Sequence, residues 1–235
     1  MAISEKSYRD RQGKFQTIKD AAAGFVPPYA PANAALTLIN LGIFITGVDS
    51  ANGLTETLSS NYMSNAGNRV DMVKAIRNTL TQSLSYVKSN PAWVIQFKAA
   101  KSAADKFRGM KPSTKTTPPP DGTPQATRNK GEQAYVELAA HLNTYINVLG
   151  TCLGYVPPSA TITVAAFNTL LTNFKALNTS ISLLDTQLAN ARESRRRLYY
   201  EPGGAEEKFQ DIKSAIKGQY GPNSVPWGVV KGMKW

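Results

Sequence analysis

Apolar residues recur along this chain at alternating steps of three and four, the rhythm of a helix face packed in a bundle. The clearest run is Gln133–Cys152, where Tyr135, Leu138, Leu142, Tyr145, Leu149 and Cys152 keep the step throughout. An earlier segment places Tyr8, Phe15, Ile18 and Ala22 on the same rhythm, with Arg11 at the missing step. Each run meets a near-identical stretch, GFVPPYA from Gly24 and GYVPPSA from Gly154. A glycine where a helix stops, followed by two prolines that cannot continue it, predicts a helix terminus and a turn.

A longer helix is predicted after each turn. Leu41, Phe44, Val48, Ala51, Thr55, Leu58 and Tyr62 face inward in the first. Phe167, Leu170, Phe174, Leu177, Ile181, Leu184, Leu188, Ala191 and Leu198 do so in the second, with Arg195 at one seam position. Gly42, Gly47 and Gly53 weaken the first intrinsically, so packing must hold it. Breaks are expected at SNAGN (Ser64–Asn68) and at EPGG (Glu201–Gly204), each followed by a third helix, Val70–Lys88 and Ala205–Lys217. A fourth helix follows SNP, with Trp93, Phe97, Ala100, Ala104 and Phe107 inward. The last stretch instead alternates: Val225, Trp227, Val229, Met233 and Trp235 are large and apolar, which predicts an extended tail. Its two tryptophans would not stand in water, so it docks on its own bundle or anchors a neighbouring subunit.

The pattern thus predicts an all-α protein of two tandem antiparallel three- or four-helix units produced by internal duplication. Residues 1–111 form the first unit and 131–235 the second, with both copies closing on GMK. Residues 112–130, proline- and threonine-rich and almost without apolar side chains, read as an extended linker. The stretch from Tyr155 to Tyr200, with DIKSAIKGQYGPNS and the closing GMKW, resembles a family of bacterial tandem-helical proteins without an assigned activity. That resemblance implies the fold and a bacterial origin; it implies no site.

Charge changes the picture modestly. The chain carries a net +11, and residues 1–112 account for most of it, with 14 Lys/Arg against 7 Asp/Glu. Such a front half attracts a polyanion or an acidic partner surface. The densest basic segment, ARESRRRLYY, offers Arg192, Arg195, Arg196 and Arg197 as candidate polyanion contacts. The competing reading makes them cations that complement a helix C-terminus.

Enzyme signatures are missing. There is no phosphate-binding glycine loop, and one cysteine and one histidine, Cys152 and His141, cannot make a Cys/His metal site. No Glu-x-x-His pattern of a di-metal bundle is present. No catalytic, cofactor-binding or metal-binding residue is therefore expected, and no cofactor. The start is polar rather than secretory, and the most apolar window, Ala34–Val48, is too short to span a bilayer, so a cytoplasmic protein with no membrane span is expected. The leading expectation is a non-enzymatic structural protein that assembles with copies of itself into a filament, lattice or shell; the alternative is a basic nucleic-acid-associated protein.

Overall fold

A computed structural model describes residues 5–109 and 134–235. Every regular element among them is helical, as the apolar periodicity predicts. The helices are α1 (Glu5–Ala23), α2 (Leu38–Ser89), α3 (Val94–Arg108), α4 (Tyr135–Gly150), α5 (Val164–Tyr200), α6 (Ala205–Tyr220) and α7 (Val225–Val230). Short 3-10 turns precede α2, α3 and α5. The segment expected to be a linker, 112–130, lies outside the described residues.

Two expectations about helix limits are corrected. The first is the break at Ser64–Asn68: α2 runs through it for 52 residues. Gly67 and its asparagines lower helix propensity by at most about 1 kcal/mol each, but no proline removes a ladder donor there. At EPGG the break is real. Pro202 cannot continue α5, Gly203 takes a φ of 78°, and a side chain on Gly204 would sit 2.7 Å from the Glu201 carbonyl oxygen. The second correction is the tail, which is helical over Val225–Val230 rather than extended. Ser224 caps it, its hydroxyl accepting from the Trp227 N–H at 3.3 Å, with Pro226 in the first turn. This local start signal outweighs the alternation of apolar residues.

The contacts also divide the chain differently from the expected 1–111 and 131–235. One compact unit joins residues 1–62 to 184–235; the other is 63–183. The uninterrupted α2 is the reason, because its first part belongs to one core and its last part to the other.

In the first unit, α1, the start of α2 and α6 enclose Phe15, Ile18, Ala22, Leu41, Ile45, Phe209, Ile212 and Ile216. The end of α5 adds Tyr199 beside Tyr8 and Val48. In the second unit, the end of α2 and helices α3 and α4 enclose Ile76, Leu80, Val87, Ala100, Phe107, Leu142 and Leu149, closed by Phe167 and Phe174 of α5.

Each VPP turn is held in the same manner inside its own unit. Tyr220, ending α6, donates its hydroxyl to the Pro27 carbonyl at 2.7 Å, and its ring meets Phe25 edge-on at 5.5 Å. Tyr86, near the end of α2, donates to the Val156 carbonyl at 3.0 Å, and its ring meets Tyr155 at 5.6 Å. Gln219 adds a bond to Pro28 O in the first unit, and the Trp93 indole one to Leu153 O in the second. Tyr86 precedes Trp93 by the same number of residues as Tyr220 precedes Trp227. Each turn is therefore clamped by a tyrosine from the other half of the sequence.

Inside the second unit a relay of hydroxyls fixes the turn further. Tyr145 donates to Ser83 Oγ at 2.8 Å, and Tyr155 spends its one proton on the Ile162 carbonyl at 2.7 Å. The 2.9 Å contact between Ser83 and Tyr155 is therefore donated by the serine. Burial pushes the Tyr145 phenol well above its ordinary range. Ser83→Ala would strand that hydroxyl in the core, and we expect a loss of about 1–3 kcal/mol in urea unfolding. Tyr145→Phe in the same background should recover part of the loss; a neutral Ser83→Ala would show that the relay carries no stability.

Candidate functional site

Tail residues and arginines singled out from the sequence meet in the first unit. Trp235 lies 5.4 Å from Phe209, 6.1 Å from Tyr199 and 6.5 Å from Phe15, ring centre to ring centre. Met233 and Trp227 pack against the same core. Val225 and Val229 do not; they are 81% and 49% exposed. Lys213 of α6 fastens the end of the tail by donating to the Lys231 and Met233 carbonyls at 3.1 and 2.8 Å. Within the described chain, the tail is thus part of its own unit.

The four arginines separate. Arg195 is buried, with its guanidinium carbon 4.0 Å above the Tyr8 ring. Its place on the α5 seam, two turns after Leu188, turns it inward. Arg196 and Arg197 stay at the surface and share Glu193, at 2.8 and 3.1 Å, and more distantly Glu201. Arg192 is exposed. A cation stacked on a ring and two engaged by carboxylates do not present the common face that the sequence suggested.

Arg11, the polar residue at the missing seam step of α1, completes the cluster. Its guanidinium carbon lies 5.2 Å from the Tyr200 ring centre and 5.8 Å from that of Trp235. Sequence reasoning left it aside, although an arginine in an apolar seam is itself a sign of an aromatic partner.

At the centre stands Tyr199, fully buried. Its hydroxyl donates to the Tyr8 carbonyl at 2.8 Å and accepts from Asn52 Nδ2 at 2.9 Å. Asn52 also donates to Gln12 Oε1, and Gln12 donates to Asp49 at 3.0 Å. Arg9 closes the chain outward, holding Asp49 at 2.5 Å and both oxygens of Glu56 at 2.6 and 2.7 Å. Bonds from Gln12 and Arg9 lower the Asp49 pKa, and the Arg9 fork lowers that of Glu56. Burial raises the Tyr199 phenol.

These directions decide the chemistry. Carboxylates held below their ordinary range stay ionised, and a phenol held above its own stays neutral. None is poised to exchange a proton near neutral pH. Elsewhere, Cys152 is buried, its thiol directed at the Val148 carbonyl at 3.6 Å and its pKa raised by burial. His141 is half-buried on α4. Among the described residues no group of three His, Cys, Asp or Glu side chains is placed to hold a metal ion, and no helix is long and apolar enough to cross a membrane. The cluster is a fastening that ties α1, α2, α5 and the tail together.

No protein family, curated protein or solved structure matches the chain.

Two outcomes follow from the fastening. Trp235→Ala removes three aromatic contacts from a partly exposed ring, so we expect roughly 2–4 kcal/mol of destabilisation in denaturant unfolding. Unchanged stability would show that the ring is not held. The second concerns acid. Bonds from Arg196 and then Arg197 lower the Glu193 pKa from 4.5 to about 2. A depressed carboxylate stabilises fully above its ordinary pKa and loses that contribution as pH falls through the folded value. The melting-temperature gap between the native protein and Glu193→Gln should therefore be present at neutral pH, close between pH 4.5 and about 2, and shrink with added salt. A gap independent of pH would rule out the ion pairs as its source.

Proposed function

We propose that this protein is a non-enzymatic structural component that associates with copies of itself. One observation carries the reading. On the part of α2 within the first unit, Ile39, Ile43, Gly47, Ser50, Leu54 and Thr57 are on one side, within an arc of about 80° at 3.6 residues per turn. All but the small and hydroxyl-bearing members are large and apolar, and Ile39, Ile43 and Leu54 are 77%, 67% and 55% exposed. No charged residue interrupts the strip over about 27 Å of helix.

A charge-free face has nothing with which to select a charged partner, but it complements itself. Pairing the same face of two copies across a two-fold axis buries it, and Gly47 and Ser50 allow the backbones to approach. The polar network around Tyr199 supports the same reading from the other side, since its groups are engaged in holding the unit together. The tail enters assembly only through Val225 and Val229, because Trp227, Met233 and Trp235 serve the core of their own unit. Internal duplication supplies a second, related unit in each copy, which is the requirement for extending a pair into a filament, lattice or shell.

The test is sedimentation across a range of concentrations. The native protein should form larger species as concentration rises, and Ile43→Lys with Leu54→Lys should weaken the association at least about 100-fold while helix content is unchanged. The magnitude follows from withdrawing two large side chains worth about 1.5–3 kcal/mol each. A native protein that stays a monomer at every concentration would overturn the proposal.

A further inference from the structure

We infer that the second unit carries a nucleic-acid-binding strip on α2 that grips the phosphate backbone. The inference is independent of self-association. It begins with where the charge lies. Residues 1–62 are balanced, so the excess of the front half belongs to residues 63–112, within the second unit. That stretch holds nine cationic residues, and its acidic residues are Asp71 and Asp105.

The helix collects part of this charge on one side. Lys74, Arg77 and Lys88 fall within an arc of about 60°, over about 21 Å of α2. Thr81 lies between them, its hydroxyl donating to the Arg77 carbonyl at 2.9 Å, and between Lys74 and Lys88 no apolar or acidic side chain shares the arc. Arg108 of α3 joins the strip, donating from Nη2 to Thr81 Oγ1 at 2.7 Å. Its neighbour Asp105 lies 3.5 Å from the same guanidinium and is also held by Lys101 at 2.5 Å. Lys74, Arg77 and Lys88 have no ion pair among the described residues. The first unit differs: Arg9, Arg196 and Arg197 there all have carboxylate partners.

Three unneutralised cations in line match the charge of successive phosphates. Between Lys74 and Lys88 the strip has no apolar side chain to insert below a lipid headgroup, which favours a hydrated phosphodiester chain over a bilayer. It has no exposed aromatic ring for stacking, so the expected binding is indifferent to sequence.

The experiment measures fluorescence anisotropy of a labelled mixed-sequence DNA duplex titrated with the full chain, from about 50 to 200 mM salt. The native protein should bind at the low end and release steeply as salt rises. Lys74→Gln/Arg77→Gln/Lys88→Gln should weaken binding at least tenfold and lower the slope of log affinity against log salt by about 2–3. Lys74→Gln/Lys88→Gln, which changes two exposed side chains alone, should lower it by roughly 2 and guards against misfolding of the triple variant. Arg196→Gln/Arg197→Gln should bind as the native protein does. The inference is overturned by no binding of the folded native chain at the lowest salt, by native affinity in both strip variants, or by an equal loss in the Arg196/Arg197 variant. Binding to phosphatidylserine vesicles without binding to the duplex would also overturn it.

Discussion

The continuity of α2 governs the rest of the molecule. No proline occurs between Leu38 and Ser89, so the backbone ladder runs unbroken and the chain cannot turn back at Tyr62. A helix that cannot fold on itself must find partners for both of its ends. The first end is covered by α1, α6 and the end of α5; the last end is covered by α3, α4 and the start of α5. The two halves of the sequence are thereby committed to each other's cores.

The clamps on the two turns follow from that commitment. A VPP turn is poor in backbone donors, because proline has none, and its carbonyls need outside partners. Tyr220 and Tyr86 supply them, and each arrives from the half of the sequence that does not contain the turn. The aromatic fastening around Tyr199 does the same work at the junction of α1, α2 and α5, joining Tyr8 to a residue 191 positions later. The hydroxyls of Tyr86, Tyr199 and Tyr220 are all engaged in closing these junctions.

Much of this was legible from periodicity. The seam residues Leu142, Tyr145, Leu149, Phe167 and Phe174 are buried as the spacing requires, and EPGG ends its helix. What failed did so for identifiable reasons. SNAGN resembles a loop by composition, but glycine and asparagine only weaken a helix where proline would end it. The tail alternates like a strand, but a serine cap and an early proline decide its local structure. The partition into units was not legible, because periodicity tells which face of a helix is buried and not which helix buries it. The arginine segment after Ala191 looked like one feature in the sequence; successive helical positions point 100° apart, so its members part company.

The split of the first unit also bears on the order in which the chain becomes available during synthesis. Residues 63–183 are one uninterrupted stretch, so every side chain of the second core has been made before α5 is complete. The first core has no such closure. Phe15, Leu41 and Val48 precede that stretch, yet their partners Tyr199, Phe209 and Trp235 are made only after it. On a ribosome the opening helices must therefore wait with their apolar faces uncovered while the middle of the protein folds. That interval places the surface open to wrong contacts on α1 and the first turns of α2.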